Sequence, residues 1–297
     1  MNRDVILRIL TFVVLSYVIA FALDIAVLWF GLPGVLWGFS RMWSVTLSAV
    51  ICLVFFGDGF SASFRKFLGF SGRVAVLYLL APAIVYCAFG LYVILALPAG
   101  LFDFGACIKV IADSLRGLLT SASEEQITSI ATTTAYLQII IGYFNAVTAN
   151  ALYALGEEIG WRGYLFSLLG FETSLKNVLI VGVLWGLWHA PATILLGFNY
   201  SVNRYLGVLL FTLFTTALTY PHLLITKVAG SVLPAASLHG AVNALWGFTV
   251  IASSLPKEQK EIFLGIGVLG IVTWVILSLV IHSVRKILMR RGEASST

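Results

Sequence analysis

Apolar residues run along this chain in long blocks, and short polar stretches separate the blocks. A helix of about 20 apolar residues crosses the hydrocarbon core of a bilayer. Eight blocks of this kind are predicted to cross the membrane: residues 5–30, 40–57, 74–97, 134–156, 175–196, 205–225, 231–251 and 262–284. The alternation of apolar and polar positions that is typical of barrel strands does not occur. We therefore predict an all-α fold, a polytopic membrane helix bundle of about eight transmembrane helices.

Two stretches between the blocks are predicted to form helices that either lie at the membrane interface or merely cover the bundle. Phenylalanines recur at helical spacing beside basic residues in 57–73, as in helices that lie on a membrane surface. Isoleucines and leucines recur in the same way in 105–119. Ser121 and Glu124 then form the pattern of a capping box, which predicts that the helix leading into the fourth block begins there.

The composition agrees with a membrane protein. Hydrophobic residues fill 60% of the 297 positions and charged residues 10%, with a mean hydropathy of +1.01. Soluble domains carry about 25% charged residues. No repeat or linker divides the chain, so we expect one integral membrane domain over residues 1–297, in contact with membrane lipids. The basic residues are scattered over the loops and predict no nucleic-acid partner.

The lysines and arginines predict how the chain is oriented in the cell membrane, because cytoplasmic loops carry an excess of them. With eight spans both termini lie on one side, and that side receives twelve of the 18 lysines and arginines. We therefore expect both the N- and the C-terminus in the cytoplasm.

Two adjacent glutamates stand at the end of the fourth block. Glu158 and Arg162 are four residues apart, so on a helix they share a face and can form an ion pair. Glu157 points about 100° away and is free to face a cavity. A chain that keeps charges inside a membrane invites a functional explanation. Solvation of both glutamates in cytoplasmic water is the alternative.

Two histidines lie inside later apolar blocks, each with a partner one helical turn away. Trp185 precedes His189 by four residues, and Asn243 follows His239 by four. An imidazole and a carboxamide on one helix face can donate two hydrogen bonds to a developing oxyanion. They can equally well join neighbouring helices.

The remaining histidines and the cysteines are assigned no chemistry. His222 and His282 lie near predicted span ends, where an interfacial position explains them. Cys52, Cys87 and Cys107 are scattered and show no disulfide or metal-binding spacing.

Taken together and in this order, the polar motifs resemble those of the CAAX prenyl protease and bacteriocin-processing family of intramembrane proteases. The motifs read Glu157-Glu158-x-x-x-Arg162, Trp185-x-x-x-His189 and His239-x-x-x-Asn243. The resemblance covers about residues 134–251, the expected catalytic core. The aromatic residue of the second motif is often Phe in the family and is Trp185 here.

The resemblance implies an intramembrane endopeptidase that hydrolyses a peptide bond without a covalent intermediate, in a cavity open to the cytoplasmic side. The implied substrate is a peptide or protein of the CAAX type or a related type, with or without a lipid. The implied catalytic residues are Glu157 and His189 for water activation and His239 and Asn243 for the oxyanion, and the implied supporting residues are Glu158, Arg162 and Trp185.

Participation of a metal stays open at this point. Glu157, His189 and His239 could ligate a catalytic Zn²⁺ and leave one position for water. Their spacing is not the His-Glu-x-x-His spacing of zincins. The family has been classed both as metalloproteases and as glutamate-dependent proteases. We favour water activation without a metal, with zinc as the open cofactor.

Two other functions would also explain acids and histidines inside a membrane. An ion-coupled transporter would use them as proton-relay groups. Such transporters are built from repeats, whereas the polar motifs here are confined to the second half of the chain. A non-enzymatic bacteriocin-immunity or scaffold protein would tolerate the loss of Glu157. Of the three functions, the sequence favours the endopeptidase.

Overall fold

The computed structural model describes residues 2–294, and side chains as far as residue 290. Within this range the regular elements are helices and no strand occurs. The α-helices in chain order are α1 Arg3–Phe30, α2 Gly34–Phe55, α3 Phe60–Phe67, α4 Gly72–Leu80, α5 Pro82–Ala96, α6 Phe104–Leu118, α7 Glu124–Ala146, α8 Ala149–Glu158, α9 Phe166–Leu168, α10 Leu175–Trp188, α11 Ala190–Leu196, α12 Arg204–Ala229, α13 Leu233–Leu245, α14 Phe248–Ile251, α15 Lys257–Phe263 and α16 Val268–Ala294. A π-helical segment, Ile159–Leu165, joins α8 to α9.

Seven helical stretches of the described chain are long and apolar enough to cross a membrane. They are Arg3–Phe30, Gly34–Phe55, Gly72–Ala99, Glu124–Ala146, Leu175–Leu196, Arg204–Ala229 and Lys257–Arg290. The protein is therefore a multi-pass membrane protein, and the predicted all-α helix bundle is confirmed.

Two of the predicted spans are broken in the structure. The seventh predicted block, 231–251, folds as the 13-residue α13 and the 4-residue α14, each too short to count as a span. The fourth, 134–156, joins parts of α7 and α8, because the helix breaks between Ala146 and Ala149. Hydropathy averaged over about 19 residues does not detect these breaks, because polar residues such as Asn145, Thr148 and Asn150 are averaged with the apolar residues on both sides.

Hydrogen bonds and ion pairs hold loops together at each end of the bundle. At one end, here called the terminal end, the contacting pairs are Arg8–Asp58, Phe67–Val232, Glu172–Lys227 and Thr173–Arg285. At the other, here called the distal end, they are Asp103–Ala252, Tyr200–Ile266, Ser201–Glu261 and Asn203–Glu258. The chain passes from the terminal to the distal end between Val232 and Ala252, so α13 and α14 together make an eighth passage. Arg8 and Arg285 lie at the same end.

Both predicted interfacial stretches contain helices, and the predicted helix start is shifted. Helices α3 and α6 fall within 57–73 and near 105–119. Helix α7 begins two residues later than predicted. Its cap is Ser123, whose side chain accepts from the Gln126 N–H while the Gln126 side chain accepts from the Ser123 N–H. The prediction of a capping box at Ser121 and Glu124 is therefore wrong. Glu124 instead binds Arg116 at 2.8 Å.

Glycines bring the helices that carry the polar motifs close together. A Cβ atom added at Gly186 of α10 would lie 2.5 Å from the Thr212 Cα of α12. A Cβ added at Gly240 of α13 would lie 2.6 Å from the carbonyl oxygen of Ala146 and 2.8 Å from the Ala151 nitrogen. Small residues are the usual means by which membrane helices approach at backbone distance. The second and third motifs are thus fixed on closely packed helices.

Candidate active site

The three motifs meet at one cavity of about 540 Å³. The residues that line its inner part include Glu157, Trp185, His189, His239 and Asn243. Residues of the distal end line its mouth, among them Gly34, Phe198, Asn199, Gly247, Lys260 and Glu261. Behind the inner part lie Glu158, Arg162 and His222, which have no exposed surface. The cavity is therefore a pocket that opens at the distal end.

Glu157 presents one carboxylate oxygen to this cavity. The residue is 2% exposed, and its Oε2 accepts a hydrogen bond of 2.6 Å from the indole N–H of Trp185. Its Oε1 has no hydrogen-bond partner among the described residues and is not fully enclosed. One oxygen is thus held by the protein and the other is free for a water molecule or a substrate.

Glu158 faces away from the cavity and contacts the side chains of Arg162 and His239. Its Oε1 lies 2.9 Å from Arg162 Nη1 and 2.8 Å from His239 Nδ1. The ion pair with Arg162 is the one that the four-residue spacing predicts. Arg162 lies in the π-helical segment, and such segments are frequent at functional sites. Solvation of both glutamates in water, the alternative considered above, does not fit residues that are 0–2% exposed.

The two motif histidines direct the same ring nitrogen to the cavity. His189 Nδ1 lies 2.9 Å from the carbonyl oxygen of Trp185, so Nδ1 carries the proton and Nε2 is an acceptor in the neutral ring. His239 Nδ1 is engaged by Glu158, which again leaves Nε2 without a partner among the described residues. Hydrogen bonds to one ring nitrogen thereby define the chemistry available at the other.

Trp185 lies among the rings of His189, His239 and His222, and these four residues are here called the cluster. Its ring centroid lies 6.3 Å from that of His189, 5.3 Å from that of His239 and 5.8 Å from that of His222. The Arg162 guanidinium stacks on it at 3.9 Å. A phenylalanine could supply the ring contacts, but it has no N–H for Glu157. The tryptophan therefore adds a donor at this position.

Asn243 completes the set on the face of α13 that carries His239. It is solvent-exposed, lines the cavity and makes no hydrogen bond to another described residue. Its side-chain amide is thus free to donate to a substrate.

Three further polar residues belong to the site or border it, and the sequence did not single them out. The prediction that His222 lies at the membrane interface is wrong. His222 is fully buried, 6.0 Å from the His239 ring, because α12 continues to Ala229. Asp24 and Arg41 form a buried ion pair at 2.8 Å, and Arg41 lines the cavity. An acid within an apolar block was the signal that could have indicated Asp24. His282, by contrast, lies outside the cluster and contacts Tyr220.

The side chains that could ligate zinc do not form a metal site. No group of three His, Cys, Asp or Glu side chains among the described residues converges at ligand spacing. Glu157, His189 and His239 each use one atom in a hydrogen bond to Trp185 or to Glu158 and keep another atom free toward the cavity. Such hydrogen bonds are also usual for metal ligands, but the three side chains do not lie together at ligand spacing, and we derive no step through a metal.

The mouth of the cavity and the chain ends lie at opposite ends of the bundle. Residues 34, 198 and 260 at the mouth belong to the distal end, whereas Arg8 and Arg285 belong to the terminal end. Cytoplasmic termini and a cavity open to the cytoplasm were both predicted. In this arrangement the two predictions exclude each other.

A buried acid, two oriented imidazoles and a carboxamide thus line one pocket inside a membrane helix bundle. Comparison with known proteins shows what this part of the chain is similar to. Residues 139–245, which contain all three motifs, match the family described as Type II CAAX prenyl endopeptidase Rce1-like. The predicted resemblance is thus confirmed for this part of the chain, and it supports a membrane protease of the CAAX type.

One curated relative is CAAX prenyl protease 2 of Methanococcus maripaludis. It is 49% identical over 41 residues, a stretch that covers 14% of this chain and 15% of that protein. No solved structure matches the chain.

Proposed function

We propose that this protein is an intramembrane endopeptidase that hydrolyses a peptide bond of a CAAX-type or related substrate. The single observation that carries the proposal is the convergence of Glu157, His189, His239 and Asn243 on one pocket. These residues are separated by up to 86 positions along the chain, so their sharing a pocket is a property of the fold. The family match over the same segment supports the reaction class.

Glu157 and His189 activate the attacking water in this proposal. The free Oε1 of Glu157 accepts a proton from water, and the water oxygen forms a bond to the carbonyl carbon of the scissile peptide. The Nε2 lone pair of His189 accepts a second hydrogen bond and orients that water. The proton then passes from Glu157 to the leaving amine nitrogen as the C–N bond breaks. No covalent intermediate with the enzyme forms, and peptide plus water give a carboxylic acid and an amine.

His239 and Asn243 stabilise the oxyanion of the tetrahedral intermediate. The Asn243 amide donates without any change of state. His239 already uses Nδ1 toward Glu158, so it can donate from Nε2 only as an imidazolium. Glu158 is the counter-charge for that form. Removal of one oxyanion donor typically costs about 100-fold or more in rate.

Glu158, Arg162 and Trp185 act as positioning residues. Glu158 links Arg162 to His239, and Trp185 holds Glu157 through a 2.6 Å hydrogen bond. Loss of one partner from a buried ion pair leaves an uncompensated charge and costs about 3–5 kcal/mol. These residues therefore affect both folding and activity, whereas Glu157 has no ionic partner to lose.

The test is peptidase activity of purified protein on synthetic peptides with and without an isoprenylated cysteine, followed by mass spectrometry of the products. Glu157→Gln and His189→Ala are expected to abolish cleavage. The matched controls are Glu125→Gln, an exposed acid at the start of α7, and His282→Ala, a histidine outside the cluster. Both controls are expected to retain wild-type turnover.

Two outcomes would refute the proposal. One is full turnover in Glu157→Gln with the protein correctly inserted. The other is the absence of cleavage of any peptide by the wild-type protein, combined with a cellular phenotype that survives Glu157→Gln. That second outcome would favour the immunity or scaffold function.

A further inference from the structure

Asp24 of α1 and Arg41 of α2 form an ion pair inside the bundle. Asp24 has no exposed surface and Arg41 is 3% exposed. The guanidinium Nε lies 2.8 Å from Asp24 Oδ1, and Nη2 lies 3.3 Å from Oδ2. The Trp37 indole N–H donates to the same Oδ1 at 2.9 Å. Buried charges of this kind persist only when they are paired and hydrogen-bonded, and here both conditions hold.

Arg41 is also attached to the helix that carries the second motif. Its Nη2 donates to the carbonyl oxygen of Trp188 at 2.8 Å, and its guanidinium lies 3.9 Å from the Trp188 ring. Trp188 directly precedes His189. The guanidinium is therefore fixed beside the catalytic imidazole of the proposed reaction, on the mouth side of Trp185.

One nitrogen of Arg41 remains available to a ligand. Nη1 has no hydrogen-bond partner among the described residues, yet it is not enclosed. Arg41 lines the cavity, so this N–H group is directed to the space that a substrate would fill. The other cation on the cavity wall, Lys260, stands at the mouth in α15.

We propose that Arg41 binds the C-terminal carboxylate of the peptide substrate, and that Asp24 holds Arg41 in position for it. Arginine matches the planar geometry of a carboxylate and keeps its charge when buried. Asp24 compensates most of that charge, which favours a singly charged ligand over a phosphate dianion. The inference rests on the proposed peptidase function, because it names the part of the substrate that the same pocket recognises.

The charge on the cavity wall supports a carboxylate chain end as the ligand. The inner wall is closed by Glu158, Arg162 and His222, so a substrate enters and leaves by the mouth, the side on which Arg41 lies. A cationic donor on that side attracts a C-terminal carboxylate and repels an N-terminal ammonium. The position of Arg41 next to His189 predicts that the cleaved bond lies within a few residues of the substrate's C-terminus.

The test compares two probes, an isoprenylated CAAX-type peptide with a free C-terminal carboxylate and the same peptide with a C-terminal amide. Binding is measured by fluorescence anisotropy to the full chain carrying Glu157→Gln, so that the readout does not depend on turnover. The acid is expected to bind roughly tenfold more tightly than the amide, the effect of one hydrogen bond to a charged group. Asp24→Asn with Arg41→Gln removes both charges of the pair and is expected to reduce this ratio to near one. Replacement of a whole buried pair is tolerated far better than loss of one partner.

Two single variants serve as controls. Lys260→Gln removes the cation at the mouth, and Arg116→Gln removes an exposed arginine of α6; both are expected to leave the ratio unchanged. Equal affinity for acid and amide, no binding of either peptide, or a ratio lost with Lys260→Gln would each overturn the inference. Preference for the acid without cleavage by the wild-type protein would retain the inference and refute the proposed function.

Discussion

At the scale of single residues, Trp185 differs in a chemically meaningful way from phenylalanine, which is often found at this position in the family that the motifs resemble. Its ring packs among three histidines and Arg162, which any aromatic residue could do. Its indole N–H donates to Glu157, which phenylalanine could not do. The side chain therefore combines packing with orientation of the proposed base.

Replacement of Trp185 by phenylalanine should separate these two roles. We expect the protein to fold, because the ring contacts remain, and kcat/KM for peptide cleavage to fall roughly tenfold or more. The reason is the loss of one hydrogen bond to a charged group, about 1.5–3 kcal/mol. The control is Trp43→Phe, since the Trp43 indole donates to the carbonyl oxygen of Leu152 and the residue does not line the cavity. This control is expected to retain wild-type activity, and wild-type activity of Trp185→Phe as well would show that the bond to Glu157 has no catalytic effect.

At the scale of helices, the site depends on how closely α10 approaches α12. Gly182 and Gly186 lie on the contact face, where an added Cβ would stand 2.5 Å from a backbone Cα of α12. Three residues after Gly186 comes His189. A shift of this contact would therefore move the imidazole relative to Glu157.

A matched pair of glycine replacements tests this dependence. Gly186→Ala should lower stability, by about 1–3 kcal/mol as is typical of overpacking, and should reduce peptide cleavage. Gly90→Ala in α5 meets nothing within 4 Å and should leave both unchanged or slightly raise stability. Thermal unfolding in detergent and cleavage rates measure the two effects. If both alanine variants behaved alike, close packing of α10 on α12 would not be what holds the second motif.

At the scale of the whole molecule, the cavity opens at the end opposite the chain termini. The excess of lysine and arginine lies on the side of the termini. The charge rule predicts that this side is cytoplasmic. The pocket would then take its substrate from the other side of the membrane, contrary to what the family resemblance implies.

Labelling of single cysteines determines this orientation. Ser61→Cys in α3 and Ser254→Cys beside the cavity mouth are both exposed, at the terminal and the distal end respectively. Each variant is made in a protein whose three natural cysteines have been replaced, and it is expressed in intact cells. A membrane-impermeant maleimide should then label Ser254→Cys but not Ser61→Cys. The reverse pattern would overturn the orientation derived from charge and restore a cytoplasmic site. Labelling of both or neither from one side would contradict the separation of the two ends.

The sequence by itself determined the class of fold and the chemical composition of the candidate site. Long apolar runs require helices in a membrane, because backbone groups there must be satisfied internally. Spacing of four residues determined that Glu158 pairs with Arg162 and that His239 shares a face with Asn243. These are local properties of a helix, and local properties can be read from one segment.

Only the tertiary structure decided which residues meet and where the site opens. His222 and the pair Asp24–Arg41 enter the pocket region through packing of α1, α2 and α12, which no spacing within one segment encodes. The break after α7 and the short α13 depend on contacts such as that of Gly240 with Ala146. Contacts between distant segments decide such features. Every segment here is apolar enough to lie in the membrane, so the hydropathy of a segment does not determine which neighbours it contacts.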